Sequence, residues 1–405
     1  MTAAMPTEFA FDSPEAALKA LVARVKPVGV EHVSLQDAVG RVLAEPIRAD
    51  RPSPACDVSA MDGYAICIED LRPGRLPVAG EIPIATEPPA MHPGAVLRIV
   101  TGAAVPPQAH AVIRREDCIE QDRFIELTAQ TVASIKPGLN IRRCGENCPK
   151  GAEIIPSGTL VTPARLGALA TVGCTQPRVR RRVRVAVLVT GDEVLCPDEM
   201  PKPWELRDSN GPSLGALLGA HAWNAVDVRP RVVDDERTLC DAVEAALAES
   251  DAVVCTGGVS MGGRDYVPGV VRKVGAEVIF HRLPQKPGKP ALGAVSPDGK
   301  PVFGLPGNPV SVLVTARRLA LPALSARAGL ARLCPPTLVR LAKPDDKTLN
   351  LWWHRLVRIT EPGVASLLPT MGSGDIPSAA TSDGFVEIPP AATANGLCTF
   401  YSWFG

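Results

Sequence analysis

The stretch VAVLVTGDEV, residues 185–194, decides the fold of the longest segment of this chain. Its first five residues are apolar without alternation, which is typical of a strand that is buried on both faces of a parallel sheet. Small and acidic residues follow at once, at Thr190, Gly191, Asp192 and Glu193. The stretch therefore predicts a strand that ends at a polar rim, where ligands of such sheets bind.

The sequence after this strand alternates between helix-like and strand-like patterns. In order come helical SLGALLGAHAW, strand-like AVDVRPRVV, helical DERTLCDAVEAALAE and strand-like DAVVC. Later come EVIFHRL and PVFGL, and then the long helical pattern PVSVLVTARRLALPALSARAG. Alternation of this kind predicts an open, mainly parallel α/β sheet with helices on both faces, which we place at residues 178–328.

The other segments of the chain have different residue patterns. Residues 53–145 contain short β-prone runs between Pro and Gly clusters, which predicts a small mostly-β domain. Residues 1–52 and 146–177 contain helix signals, such as the SPE start at 13–15, and predict a mixed N-terminal or linking domain. Residues 329–405 are Pro-rich and β-prone, which predicts a C-terminal β domain. The expected fold class is therefore α/β and β, in four domains.

Composition limits the classes of function. The 405 residues include 43 Lys plus Arg and 43 Asp plus Glu, so a global basic field for nucleic acid is absent. We expect neither a transmembrane helix nor a secretory signal, because the apolar runs are too short and the start lacks a basic region. Eleven cysteines at irregular spacings indicate reduced thiols, and Cys144 and Cys148 lack the further ligands of a zinc motif. The sequence predicts a cytoplasmic protein that binds neither membrane nor nucleic acid.

Candidate binding residues follow the predicted strands and precede predicted helices. Glycines at such positions let backbone N–H groups approach an anion closely. The alternative is that each glycine only permits a turn of the chain and binds nothing. Two lysines in a loop stiffened by Pro and Gly suit a phosphate, although exposed lysines are usually only solvated. The substrate-binding candidates are Ser209, Asn210, Gly257, Gly258, Ser260, Gly262, Pro306, Gly307 and Asn308, and the lysines are Lys286 and Lys289.

Three carboxylates are candidate metal ligands. Glu193, Asp208 and Asp265 could hold Mg²⁺ against a phosphate, because that ion prefers a few carboxylates together with ligand oxygens and water. The alternative is helix capping, since Asp192, Asp208 and Asp265 all stand near possible helix starts. The sequence leaves both interpretations open.

Residues 258–262, GVSMG, match the nucleophile elbow of serine hydrolases, with Ser260 as the nucleophile. A triad would then need an acid and a histidine further along the chain. Asp345 or Asp346 with His354 satisfies that order, but these residues lie in the predicted C-terminal β domain. A loop of small residues explains the match without a triad, so the hydrolase is the less favoured alternative.

Eight motifs in chain order resemble the molybdopterin molybdenumtransferase family, which comprises the MoeA proteins of bacteria and the E domain of gephyrin. The resemblance runs from about residue 10 to the C-terminal end. The motifs are SAMDGYA (59–65), RIVTGAAVP (98–106), GLNIRRCGEN (138–147), TGDEV (190–194), DSN (208–210), TGGVSMGGRDYV (256–267), KPGKP (286–290) and GLPGNPVS (304–311).

The resemblance implies the last step of molybdenum cofactor synthesis. Members of this family bind adenylylated molybdopterin, cleave its pyrophosphate link with Mg²⁺, release AMP and ligate molybdenum from molybdate. The resemblance also implies an elongated homodimer of four-domain subunits, with the active site shared between the α/β domain of one subunit and the β domain of the other. A molybdopterin adenylyltransferase and apo-molybdoenzymes would be further partners.

The resemblance also implies roles for single residues. Asp62 and Thr101 would face the site from the β domain as catalytic residues, and Ser260 would donate a hydrogen bond near phosphate. Asp265 would act in catalysis and would serve metal and phosphate together with Glu193 and Asp208. The remaining catalytic candidates, which would lie against anionic oxygens, are Lys286 and Lys289.

Two positions depart from the family pattern. Asn147 stands where the family commonly has aspartate, which leaves open a paralogue that binds the pterin without turnover. His110 also stands where aspartate is frequent, and we expect that change to be structural because it falls in a predicted β segment. A third alternative is a non-enzymatic carrier or scaffold that hands the cofactor to an apoenzyme.

Overall fold

The computed structural model describes residues 9–260, 265–331 and 335–404. In these ranges the chain forms two compact units. Unit 1 comprises the described parts of Met1–Glu45, Ser157–Gly167 and Thr175–Gly405, and unit 2 comprises Pro46–Pro156 and Ala168–Cys174. The division into four domains that the sequence predicts is finer than these two units, and its boundaries stay a prediction.

The N-terminal segment begins with a capped helix. The Ser13 hydroxyl accepts a hydrogen bond from the Ala16 N–H at 3.2 Å, and proline occupies the first helical position, as the sequence predicts. Leu18 and Leu21 are buried and pack in the core of the α/β sheet. The elements of this segment are α1 (Pro14–Val22), β1 (Val30–His32) and α2 (Leu35–Ala38).

Unit 2 is built mainly from β-strands, which confirms the expected mostly-β character of this part of the chain. Its largest sheet has six strands in the order β7-β4-β6-β5-β9-β8, in which β5 and β6 are parallel and the other neighbours are antiparallel. The elements are β2 (Ile47–Arg48), β3 (Val58–Ser59), β4 (Gly63–Ile66), β5 (Gly74–Ile82), β6 (Val96–Ile99), β7 (Ala111–Arg114), β8 (Ile119–Glu120), β9 (Phe124–Leu127), α3 (Ala129–Ser134), β10 (Ile141–Arg142) and β11 (Glu153–Ile155).

The middle of the chain carries the α/β elements. They are α4 (Pro163–Thr171), β12 (Arg178–Arg180), β13 (Val183–Val189), β14 (Val194–Leu195), β15 (Leu206–Arg207), α5 (Asn210–Gly219), β16 (Asn224–Val228), α6 (Glu236–Glu249), β17 (Ala252–Thr256), α7 (Val267–Lys273), β18 (Glu277–His281), β19 (Gln285–Lys286), β20 (Leu292–Val295), β21 (Pro301–Leu305), α8 (Pro309–Thr315) and α9 (Leu321–Arg327). Residues 316–320 join α8 to α9 as one wide helical turn.

The sheet of this segment is mainly parallel, as the sequence predicts. Its strand order is β16-β13-β17-β21-β20-β18, and the first four strands are parallel. Strand β13 is buried on both faces, because Val185 and Val187 pack in one apolar cluster while Ala186 and Leu188 pack in another. Full burial of each valine or leucine side chain contributes about 1.5–3 kcal/mol, and that of alanine less. The antiparallel strand β20 was not predicted from the sequence.

The C-terminal segment forms a closed ring of five strands, which confirms the expected C-terminal β structure. The pairings run from β23 through β24, β22, β26 and β25 back to β23, and β19 adds to β23 from outside the ring. Its elements are β22 (Thr337–Leu341), β23 (Trp352–Glu361), β24 (Val364–Leu367), α10 (Ile376–Ala380), β25 (Gly384–Ile388) and β26 (Leu397–Ser402). Among the described residues, no helix combines the length and apolarity that a membrane crossing requires.

Candidate functional site

Side-chain hydrogen bonds join the carboxyl ends of three neighbouring parallel strands, β13, β17 and β21. The Asn210 side-chain amide donates to Thr256 Oγ1 at 3.1 Å and to the Gly307 carbonyl at 2.7 Å. Thr256 Oγ1 in turn donates to the Pro306 carbonyl at 3.0 Å, and Thr190 Oγ1 donates to the Thr256 carbonyl at 3.3 Å. These hydrogen bonds cross-link the three strand ends, while the buried Asn210 Oδ1 has no hydrogen-bond partner.

The loop after β17 requires glycine. Gly257 and Gly258 have φ angles of +95° and +61°, in the left-handed region that side chains disfavour. A Cβ at Gly257 would lie 2.6 Å from Thr190 Oγ1 and 2.8 Å from the Thr190 carbonyl oxygen. The His281 ring donates from Nε2 to the Val259 carbonyl at 3.0 Å and so fixes the next residue of the loop. The sequence prediction that these glycines permit close backbone approach therefore has a geometric basis.

A cavity of ≈ 470 Å³ lies at this rim in unit 1. Its described lining carries four carboxylates, on Glu193, Asp208, Asp234 and Asp265, and one guanidinium, on Arg207. Gly262 lies outside the described residues. The other predicted substrate and metal residues that line this cavity are Ser209, Asn210, Gly257, Gly258, Ser260, Pro306, Gly307 and Asn308. We call it the acidic cavity.

The carboxylates of the acidic cavity do not all have the same role. Asp208 Oδ1 accepts hydrogen bonds from the Asn210 and Gly211 N–H groups, both at 2.9 Å, so Asp208 caps α5. Asp192, by contrast, lies outside the lining, where its Oδ1 accepts from the Asp234 N–H at 3.2 Å. Asp234 was missed from the sequence, because the pair at 234–235 reads only as a helix start.

The carboxylate oxygens of the acidic cavity can supply only part of the ligand shell of Mg²⁺. Among the described residues, three potential ligand atoms within 4.8 Å of one another occur at Cys67, Glu69 and His110, in unit 2. The three predicted Mg²⁺ ligands do not form such a group. Magnesium usually keeps several waters and takes one or two carboxylates together with substrate phosphate oxygens, and this donor set suits that arrangement.

A second cavity, of ≈ 710 Å³, adjoins the acidic cavity and shares Pro290, Pro306 and Asn308 with it. Its described lining contains four cationic side chains and no carboxylate. The ammonium group of Lys289 lies 5.1 Å from the centre of the Phe9 ring. The four cationic residues are Lys286, Lys289, Lys347 and Arg355. We call it the cationic cavity.

The C-terminal ring supplies part of this second cavity, and sequence reasoning missed that contribution. Ser373 lies in its lining, where Ser373 Oγ accepts from the Asn308 amide at 2.9 Å. The Ser373 carbonyl accepts from the Val310 N–H at 3.0 Å, at the start of α8. The Gly-Ser-Gly run at 372–374 and the basic residues of the segment 347–355 were the available signals.

A buried ionic cluster lies behind the cationic cavity. Glu387 accepts from Arg318 Nε at 2.7 Å and is bonded to His354 Nε2 at 3.0 Å. Burial would raise the pKa of Glu387, but the bond from His354 and the charge of Arg318 outweigh it and hold the pKa at about 2. His354 is thus engaged with Glu387, and Asp345 pairs with Arg355. The order Ser, Asp, His that the hydrolase alternative needs is therefore not assembled as a triad.

Asp62 and Thr101 meet in unit 2, at the adjacent ends of β4 and β6. Asp62 Oδ1 accepts from the Thr101 N–H at 2.7 Å and from Thr101 Oγ1 at 2.8 Å. These two hydrogen bonds, the backbone one first, lower the pKa of Asp62, so this exposed carboxyl is ionised near neutral pH. The pairing of these two residues is a finding that their sequence positions alone did not give.

The family departure at position 147 is absorbed by local hydrogen bonds. The Arg142 guanidinium donates to Asn147 Oδ1 at 2.5 Å, and the Asn147 amide donates to Ser53 Oγ at 3.1 Å. In the same loop the Cys144 N–H donates to Asp57 Oδ1 at 2.8 Å. An amide suits this position better than a carboxylate in one respect, because it both accepts and donates.

Comparison with known proteins agrees with this architecture. Residues 13–173 match the model of the MoeA N-terminal region (domain I and II), and residues 186–326 match that of a probable molybdopterin binding domain. Two similar structures are molybdopterin biosynthesis MoeA proteins from Pyrococcus horikoshii. One has a TM-score of 0.78 at 29% identity, covering 97% of this chain and 99% of the other. The second has a TM-score of 0.80 at 26% identity, covering 96% and 99%.

The sequences of curated proteins are also similar to that of this chain. A molybdopterin molybdenumtransferase from Nostoc is 34% identical over 325 residues, covering 78% of this chain and 73% of the relative. One from Staphylococcus epidermidis is 31% identical over 386 residues, covering 92% and 88%. With two family models that together match most of the chain and relatives of this similarity, the chain belongs to the molybdopterin molybdenumtransferase family.

Proposed function

We propose that this chain inserts molybdenum from molybdate into adenylylated molybdopterin and releases AMP, with Mg²⁺ as the required ion. The observation that carries the proposal is the pair of adjoining cavities in unit 1, one lined by carboxylates and glycine loops, the other by cations. A pterin phosphate with its metal fits the first, and an oxyanion fits the second.

The acidic cavity would hold the pyrophosphate link. Gly258 and Gly307 would offer backbone N–H groups to the cavity, and Ser260 adds a hydroxyl donor. The Gly257 N–H is bonded to the Leu305 carbonyl, so Gly257 contributes its open space and not a donor. Glu193, Asp208 and Asp265 would hold Mg²⁺, with Asp208 offering the oxygen that does not cap α5. Mg²⁺ held there would supply positive charge for the phosphate oxygens during cleavage of the P–O bond to AMP. No covalent enzyme intermediate is needed, since a positioned water can attack phosphorus.

The cationic cavity would hold molybdate and neighbouring anionic oxygens. Lys286 and Lys289 lie in the loop that begins at β19, and Lys347 and Arg355 come from the C-terminal ring. The described lining contains no carboxylate, and of its four cations Arg355 is already paired with Asp345, so Lys286, Lys289 and Lys347 would supply most of the charge that an anion meets. As AMP departs, the two dithiolene sulfurs would bond to molybdenum, and one molybdate oxygen would leave as water with the two thiol protons, so the oxidation state of molybdenum would not change.

Asp62 and Thr101 would complete the site from unit 2. Their mutual hydrogen bonds leave Asp62 Oδ2 available to a ligand, and the carboxyl is ionised near neutral pH. In the arrangement implied by the family, unit 2 of one subunit serves unit 1 of the other, so we propose a homodimer. We further place the protein in the cytoplasm, between a molybdopterin adenylyltransferase and the apo-molybdoenzymes.

The side chain of Asn147 is held by Arg142 and Ser53 within unit 2. A paralogue that binds the pterin without turnover stays the alternative, and AMP release decides between the two. The scaffold alternative has no specific observation in its favour.

The test is AMP release from adenylylated molybdopterin by the purified protein, with Mg²⁺ and with or without molybdate. We expect molybdate-dependent AMP release that falls by about 10²-fold or more in Asp265→Asn. Asp241→Asn, an exposed carboxylate on α6, is the matched control and should retain wild-type rates. Tight pterin binding without AMP from the wild-type protein would overturn the proposal.

A further inference from the structure

Strands β4 and β7 place a cysteine and a histidine opposite each other. Ile66 pairs with Ala111 in antiparallel register, and the His110 N–H donates to the Ile66 carbonyl at 2.8 Å. Cys67 follows β4 directly and His110 precedes β7 directly, so the sheet holds the two side chains as neighbours. Glu69 joins them from the 3₁₀ turn Ile68–Asp70.

The three side chains lie within contact distance of one another. Cys67 Sγ lies 2.6 Å from Glu69 Oε2 and 3.6 Å from His110 Nδ1, and Glu69 Oε2 lies 3.4 Å from His110 Nδ1. In the described part of the chain, no other three Cys, His, Asp or Glu side chains bring their ligand atoms so close together. Thiolate, imidazole and carboxylate are the donor types that zinc takes in proteins.

The distances can be compared with those in a tetrahedral zinc site. Ordinary zinc bond lengths put sulfur and oxygen ligands roughly 3.5 Å apart, sulfur and nitrogen roughly 3.6 Å, and nitrogen and oxygen roughly 3.3 Å. Two of the three separations in this cluster already have these values. The third, between Cys67 and Glu69, must open by about 0.9 Å. Glu69 can supply that movement by rotation, since its side chain is 73% exposed.

The protonation of the cluster suits a metal that displaces a proton. The Ile68 N–H donates to His110 Nδ1 at 3.3 Å, so the ring carries its proton on Nε2 and keeps the Nδ1 lone pair on the side of the cluster. A metal would replace this long hydrogen bond. The Cys67 thiol donates its hydrogen to Glu69 Oε2, so the cluster holds one displaceable proton, on sulfur.

We propose that Cys67, Glu69 and His110 form a zinc site, with water in the fourth position. On binding, Zn²⁺ takes the Cys67 sulfur as thiolate, the Glu69 carboxylate and the neutral His110 imidazole, and one proton leaves the thiol for solvent. The site shares no residue with the described linings of the acidic and cationic cavities, and its ligands lie at the end of β4 opposite to Asp62. Its two strands, β4 and β7, would be joined at that end by the metal.

The test uses the full-length, reduced, metal-free protein and Co²⁺ as a spectroscopic probe. We expect one Co²⁺ per chain with a thiolate-to-cobalt charge-transfer band, displaced by Zn²⁺. The band should be absent in Cys67→Ser, and affinity should fall at least tenfold in His110→Asn. The asparagine retains an acceptor for the Ile68 N–H, so the loop keeps its hydrogen bond while the nitrogen ligand is lost. Cys144→Ser, an exposed cysteine of the same unit, should bind Co²⁺ as the wild type does.

Proton release gives a second readout. Zinc added at neutral pH in weak buffer should release about one proton per chain from the wild type and none from Cys67→Ser. A wild-type protein without a thiolate-to-cobalt band would overturn the proposal and leave the cluster as a hydrogen-bonded turn. A band that survives in Cys67→Ser, or that disappears in Cys144→Ser, would equally overturn it.

Discussion

The acidic and the cationic cavity share three lining residues but present opposite charge. The acidic cavity lies at the ends of parallel strands, where helix starts and glycine loops supply backbone N–H groups. The cationic cavity lies where one loop of the α/β segment meets the C-terminal ring, and long basic side chains supply the charge. The difference shows how one surface can separate its negative and positive side chains, which suits a cation with its phosphate in one cavity and a free oxyanion in the other.

The buried ionic cluster behind the cationic cavity gives the largest expected effect. Glu387→Gln leaves Arg318 without its buried carboxylate, which should lower the free energy of unfolding by about 3–5 kcal/mol. Denaturant titration measures this. Glu361→Gln, on the exposed end of β23, should change stability by less than about 0.5 kcal/mol. Equal stability of the two variants would show that the cluster does not support the cavity.

The same cluster predicts a pH dependence. The pKa of Glu387 is lowered from 4.5 to about 2 on folding, so the stabilisation is fully present above about pH 4.5. It is lost as the pH falls towards 2, because the unfolded state then binds the proton more readily. Unfolding free energies measured across this window should fall for the wild type and fall less steeply for Glu387→Gln. Parallel curves would contradict the assignment.

In the acidic cavity, Glu193→Gln should lower the rate of AMP release by about 10²–10³-fold. The substitution removes the negative charge of one proposed Mg²⁺ ligand and so weakens the hold on the ion that contacts the phosphate. Saturating molybdate should not restore the rate. Asp192→Asn changes the neighbouring carboxylate, which lies outside the lining, and should behave as the wild type. Steady-state AMP release at fixed Mg²⁺ distinguishes the two variants, and equal losses would argue against the metal role.

The glycine loop allows a matched test of geometry. Gly257→Ala should cost about 2–4 kcal/mol, because a left-handed φ is combined with a contact of 2.6 Å to Thr190 Oγ1. Gly275→Ala has a φ of +79° but meets nothing within 4 Å, so only the conformational cost remains, about 1 kcal/mol. Thermal and denaturant unfolding of both variants should show this difference. Equal costs would mean that the loop relaxes away from Thr190.

Much of the α/β segment was predictable from the sequence, because its strands are unbroken apolar runs and its helical patterns are long. Strand β13 follows the first rule, and α6 is also capped, since the Asp235 side chain accepts from the Thr238 N–H. The acidic cavity was also predictable, since parallel strands must end at one rim. Strand β20 was not, because its LGAV run is short and its Gly293 lies against Phe280 of β18, a contact that only pairing reveals.

The cationic cavity was only half predictable, for a physical reason. Lys286 and Lys289 stand in a loop whose stiffness the sequence shows, but Lys347 and Arg355 approach them only because β19 pairs with β23. Likewise, Arg318 and Glu387 are 69 residues apart and meet through tertiary packing alone. Long-range contacts of this kind leave no periodic signal in the chain.

The smallest expected effect separates the two cavities in one assay. Lys286→Ala should raise the molybdate concentration for half-maximal AMP release by about tenfold. This change corresponds to the loss of one charged contact worth about 1.4 kcal/mol. Its maximal rate should return at high molybdate. Lys343→Ala, an exposed lysine outside both linings, is the control and should leave the half-maximal concentration unchanged.

The most direct measurement is a molybdate titration of AMP release in the wild type, Lys286→Ala and Glu193→Gln side by side. Segregated roles predict that excess molybdate restores Lys286→Ala to the wild-type maximum and leaves Glu193→Gln slow at every concentration. The contrary result is that both variants lose the same fraction of the maximal rate with the same molybdate dependence. The two cavities would then act as one undivided site, which contradicts their separate roles.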